Sequence, residues 1–132
     1  MPRLSVLMIR TALLHLAAGF AVGALLLAAR ELPLDPSVLR LRGAHAHLLL
    51  LGWTAQLAMG VAFWILPRFR AGPERGREWP AWLAYLLLNG GVLLSAAAGD
   101  GPGAGPLLGR CAEGLAALAF AGHAWPRIKP FG

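Results

Sequence analysis

The chain is poor in cysteine, in acid and in charge of any kind. Its 132 residues include one cysteine, Cys111, and six aspartates and glutamates, and charged residues make up 14% of the whole. A lone cysteine excludes an internal disulfide and a cysteine-based metal cluster, so Cys111 reads as a small packing residue. Sparse charge beside 58% apolar residues excludes a soluble domain, because one this small cannot hide so much apolar surface. The length allows one domain at most. No Ser/His/Asp set, CxxC, carboxylate pair or phosphate-binding glycine loop is present.

What the chain does have is four apolar runs, at residues 5–29, 44–66, 80–98 and 106–125. Each is near the ~20 residues that a bilayer-spanning helix needs. The runs do not alternate apolar and polar residues as barrel strands do, and in lipid only helices or closed barrels satisfy the backbone. The expected fold is therefore all-α, an integral membrane four-helix bundle over residues 1–132. The first run follows Arg3 and Arg10 as a secretory leader would, but residues 11–29 exceed a leader's apolar core of about 7–15.

Basic residues set the expected orientation. Arg3, Arg10, Arg68, Arg70, Arg75, Arg77, Arg127 and Lys129 fall on the termini and the middle loop; Arg30, Arg40, Arg42 and Arg110 fall on the other side. Excess Lys and Arg stays cytoplasmic, which puts both termini inside a bacterial-type inner membrane. Trp64, Trp79, Trp82 and Trp125 then sit at inner helix ends, the level that amphipathic rings prefer. Two glutamates dilute the loop "PRFRAGPERGREWP" and no nucleic-acid motif appears, so its charge reads as topology and attraction to anionic lipid.

Polar residues inside such helices are costly and therefore informative. Gln56 and Asn89 fall near mid-depth of neighbouring runs, and a hydrogen bond between them is the expected contact. Arg110 and Glu113, three apart, share a helix face and are expected to form a local ion pair. Gly19 and Gly23 make a small-residue face, continued by Gly90, Gly91, Gly109 and Gly114. His15 reads as a lone intrahelical histidine bonded to a neighbour, and His123 as an inner-interface residue beside Trp125.

The stretch "GAHAHLLLLGWTAQLAMGVAFWILPRF" carries the candidate site, His45 and His47. Imidazole is a common haem and metal ligand. At ~100° per residue the two rings point about 200° apart on a regular helix, so they do not form a paired clamp. His45 and His47 lie within roughly 8 Å of the outer helix end and His15 roughly 20 Å from it. No two histidines on different helices share a depth, so a bis-histidine haem needs a second copy or another partner. Without a haem, a histidine at a helix end is an interfacial polar group.

A histidine near the outer start of helix 2, followed by "MGVAFWILPRF" at its inner end, resembles helix II of the haem–copper oxidase subunit I superfamily, above all its nitric oxide reductase branch. The resemblance covers helices 1 and 2, about half the chain. It implies that an outer histidine, His45 or His47, is an axial ligand of a b-type haem, with His45 preferred. The family's later helices, which carry the second axial ligand and the active-site histidines, have no counterpart here. Catalysis by the chain alone is therefore not expected. Three functions stand: a haem-binding electron-transfer protein in a homo-oligomer or beside a respiratory complex; a cofactor-free accessory or assembly subunit of such a complex; and a small transporter, for which only Gln56, Asn89 and Glu113 speak.

Overall fold

The computed structural model describes residues 1–69, 74–99 and 101–128, and all regular structure among them is helical. Helix α1 spans Arg3–Glu31. A short 3-10 turn, Pro36–Leu41, follows, opened by Asp35, whose carboxylate accepts from the Ser37 amide at 2.7 Å. Helix α2 is one rod in three stretches: α-helical Arg42–Ala46, π-helical His47–Ala55 and α-helical Gln56–Ile65. Helices α3, Trp79–Ala98, and α4, Ala104–Ala124, form a hairpin, and a 3-10 turn at Trp125–Arg127 ends it. Of the basic residues that set the expected orientation, Arg70 and Lys129 lie outside the described residues.

The four expected helices are all present. Three of them, α1, the segment Pro36–Ile65 and α3, are long and apolar enough to cross a membrane. With 21 residues α4 has the length, but Arg110, Glu113 and four glycines dilute its apolar character, and it falls short of that set. Its boundaries follow local chemistry. Gly99 ends α3 at φ 71°, a left-handed conformation that glycine adopts without a Cβ penalty, and Pro106 sits in the first turn of α4.

Packing is by small and polar residues facing inward. On α1 the buried positions are Leu4, Ser5, Met8, Ala12, His15 and Gly19, and on α4 Pro106, Gly109, Glu113, Ala116, Phe120 and His123. Apart from the step from Leu4 to Ser5, both sets advance by three or four residues, so each forms one helix stripe. Many bulky side chains point outward: Leu14, Phe20, Leu50, Leu86 and Leu118 are all at least 63% exposed. That inside-out distribution is the pattern of helices whose association relies on close backbone approach.

The closest approach is between α3 and α4. A methyl group added at Gly91 would lie 2.8 Å from the Gly109 carbonyl oxygen, and one at Gly109 would lie 3.0 Å from the Gly91 oxygen. Gly19 and Gly23 play the same part between α1 and α2, against Leu49 and the His45 ring. Gly90 and Gly114, expected to share this role, face open space. Leu4, Met8, Phe63, Ala81, Ala84 and Phe120 build the core at one end, where α1 starts, α2 ends, α3 starts and α4 ends. A second cluster, Leu48, Leu88, Val92 and Ala116, fills the middle.

Candidate functional site

The histidines hold α2 to its neighbours. His45 Nδ1 lies 2.8 Å from the Gly19 carbonyl of α1, and His15 Nδ1 lies 3.0 Å from the Gly52 carbonyl of α2. Each helix thus lends the other an imidazole. A carbonyl oxygen only accepts, so in both rings Nδ1 carries the hydrogen and donates, and Nε2 stands outside that bond. Each ring also rests where a Cβ would be: a methyl added at Gly23 would lie 2.7 Å from the His45 ring, and one at Gly52 2.7 Å from the His15 ring. Glycine at those two positions lets the rings lie close against the opposite backbone.

His47 points elsewhere. Its Nδ1 lies 2.8 Å from Glu113 Oε1 on α4, and the Glu113 side chain is only 6% exposed. One histidine therefore contacts α1 and the other α4, and they do not act as a pair, as their spacing predicts. The expected local partnership of Glu113 with Arg110 gives way to this bond across the bundle. The reason is position: Glu113 lies on the buried stripe of α4, whereas Arg110 is exposed.

The π-helical stretch begins at His47. In it Thr54 donates to the carbonyl of Leu49, five residues back. Such stretches recur at functional sites, and nothing in the sequence announces this one. His45, just ahead of it, borders a cleft of 310 Å³ between α1 and α2 with Gly23, Leu26, Leu27, Arg30 and Arg42. His47 borders a separate apolar hollow of 270 Å³ with Ala46, Leu50 and Leu51.

Other expectations are corrected. Gln56 and Asn89 do not bond each other: Gln56 Nε2 donates to the Met8 carbonyl of α1, and Asn89 Nδ2 to Tyr85 of its own helix. Each satisfies a backbone oxygen within reach of its own rotamer, and buried Gln56 Oε1 and Asn89 Oδ1 have no hydrogen-bond partner. Cys111 is exposed on α4 rather than packed, because the buried stripe runs through Gly109 and Glu113 to either side of it.

Arg127, which the sequence marks only as one more charge at the inner end, is 2% exposed. Its Nε donates to the Pro67 carbonyl, and Nη2 donates to Phe63 and Leu66 at 3.1 and 2.8 Å. It therefore caps the end of α2, where cation and orphan carbonyls complement each other. His123 stacks on Phe63 with ring centroids 5.3 Å apart and donates from Nδ1 to the Arg77 carbonyl.

Among the described residues no three His, Cys, Asp or Glu side chains gather as a metal-ion set. The chemistry on offer is that of single imidazoles, each bonded through Nδ1, and that of His123 also meets Arg127 Nη1 at Nε2. No protein-family model, curated protein or solved structure matches the chain.

Proposed function

We propose that the chain is an inner-membrane protein that binds b-type haem through His45 and serves electron transfer, with both termini on the cytoplasmic side. The observation that carries this reading is the anchoring of His45 Nδ1 on the Gly19 carbonyl beside an open cleft. A carbonyl bond on one ring nitrogen fixes tautomer and orientation and raises the ligand strength of the other. Of the two histidines that the oxidase resemblance offers, His45 fits better. The carboxylate on His47 also orients its ring, but the hollow beside it has no charged lining.

The donor set fits a haem in part. Haem, when bound, supplies a one-electron couple. The chain's own contribution would be one imidazole nitrogen from His45, a ring held in place, and Arg30 and Arg42 at the cleft as counter-charges for carboxylates. A further ligand would have to come from a second copy of the chain, brought to equal depth by two-fold symmetry, or from a larger respiratory complex. Orientation rests on the bundle end that gathers Leu4, Phe63, Ala81 and Phe120, which lies beside Arg68, Arg75, Arg77 and Arg127.

One observation favours the rival reading, a cofactor-free accessory subunit: every histidine already has a bonding partner within the bundle. The visible spectrum of the purified chain, reconstituted with haem, separates the two. A Soret band with a sharp reduced α-band is expected, lost in His45→Ala and kept in His47→Ala. Protein that stays colourless after reconstitution would sink the haem reading and leave the accessory one.

A further inference from the structure

We propose that the inner end of the bundle contains a phosphate-anion site between the loop before α3 and the end of α4, with Arg75 and Arg77 as its ligands. A hollow of 260 Å³ opens there, lined by Phe69, Arg75, Arg77, Pro80, His123 and Pro126. Both arginines belong to the described part of the loop, and Phe69 and Glu74 hold it in shape through a backbone bond of 2.9 Å.

The charge around the hollow is unbalanced. The described loop and the end of α4 bring Arg68, Arg75, Arg77 and Arg127 against Glu74 and Glu78. Glu74, 63% exposed, is shared at 3.4 and 3.8 Å between Arg68 and Arg75. Arg75 is mostly buried, yet its Nε has no hydrogen-bond partner. A guanidinium N–H buried without an acceptor is costly. Arg75 lines the hollow, and a small turn of its side chain lets an anion seated there supply that acceptor.

The remaining walls cannot. Arg127 and Arg75 lie 5.5 and 6.0 Å from the Phe63 ring centre, so two cations crowd one aromatic ring. Burial first, then the positive charge of Arg75, holds the Arg127 guanidinium below its ordinary value. Arg127 is nevertheless committed to three carbonyls, and His123 gives its Nδ1 to Arg77. That leaves Arg75 Nε and the exposed Arg77 side chain as donors. Arginine's planar fork suits phosphate.

Phosphate could reach this hollow from an anionic lipid headgroup or from solution. The exposed Trp64, Trp79 and Trp125 rings surround this end of the bundle at headgroup level, which is where basic pockets meet lipid phosphates.

The test uses the full chain in a neutral detergent. Intrinsic tryptophan fluorescence is titrated with phosphatidylglycerol in mixed micelles, with phosphatidylcholine at equal amounts, and with inorganic phosphate. Saturable binding of about one phosphate per chain is expected. Arg75→Gln and Arg77→Gln should each weaken it about tenfold, the effect of one charge-assisted hydrogen bond. Arg77 is exposed and contributes only a backbone oxygen to the fold, so its variant keeps the test valid if Arg75→Gln misfolds. Saturation by phosphatidylglycerol alone assigns the site to lipid, and saturation by both probes assigns it to free phosphate as well. No saturable binding of either probe, or an equal loss in Arg3→Gln, a charge at the same end but outside the hollow, would overturn the proposal.

Discussion

The two ends of the bundle are closed by different means. At the end where α1 starts and α4 ends, a single guanidinium ties three carbonyls at the foot of α2, and His123 and Phe63 stack beside it. At the other end, among the described residues, two single imidazole bonds tie α2 to its neighbours, His45 to the Gly19 carbonyl and His47 to Glu113. There the helices approach through glycine, and the clefts beside His45, Arg30 and Arg42 stay open. The lesson is a division of labour. One guanidinium gathers three carbonyls at one end, while glycine contacts and single imidazole bonds leave a cleft open at the other.

Breaking the Arg127 knot should have the largest effect. Arg127→Ala removes a buried charge-assisted donor from three carbonyls and is expected to cost about 3 kcal/mol, read as a lowered midpoint of unfolding in detergent. If Arg127→Lys restored full stability, a point charge would suffice and the forked geometry would not matter. Loosening the glycine contact comes next. Gly91→Ala drives a methyl against the Gly109 backbone and should cost about 1–3 kcal/mol, whereas Gly114→Ala, facing open space, should be neutral or slightly stabilising. Equal effects of the two on thermal unfolding would dissolve the contrast between the ends.

A smaller effect belongs to the strap between α2 and α4. Glu113→Gln keeps an acceptor oxygen for His47 while removing the charge, so a loss of about 1 kcal/mol is expected. Glu113→Leu should cost more, because the ring nitrogen then loses its acceptor altogether; the same unfolding midpoints decide the order. The smallest change concerns the exposed turn before α2. Asp35 is held below the usual carboxylate range, first by the side-chain hydrogen bond with Ser37. A depressed carboxyl stabilises the turn above the unfolded pKa, and the contribution is lost as pH falls through the folded value. Amide exchange at Ser37 should therefore quicken in acid beyond its intrinsic rate, and Asp35→Ala should abolish that pH dependence.

Much of this contrast was legible from residues alone, and the rest was not for identifiable reasons. The helices show as apolar runs because length and hydropathy need no knowledge of neighbours. Gly19 and Gly23, four apart, already mark a face. Partner choice is different, since it depends on how helices are rotated about their axes. Gln56 finds Met8 rather than Asn89, and Glu113 finds His47 rather than the nearer Arg110. Arg127 looks like any loop cation until its burial is seen. The π-helical stretch is the least visible, because "HLLLLGWTA" has the composition of an ordinary apolar helix.

That stretch also makes α2 a rod with slack in it. Its backbone bonds span one residue more than those of an α-helix, so it can give up a residue without breaking. Deleting one residue between His47 and Ala55 would let α-helical winding resume with both flanks near their present facings. Winding the same residues as α-helix without the deletion would instead leave Gln56–Ile65 seated on Met8 while everything upstream swung by about 100°. His45 would then leave the Gly19 carbonyl and turn away from its cleft. The bearing of the candidate ligand is thus fixed by the residue that the π turns absorb.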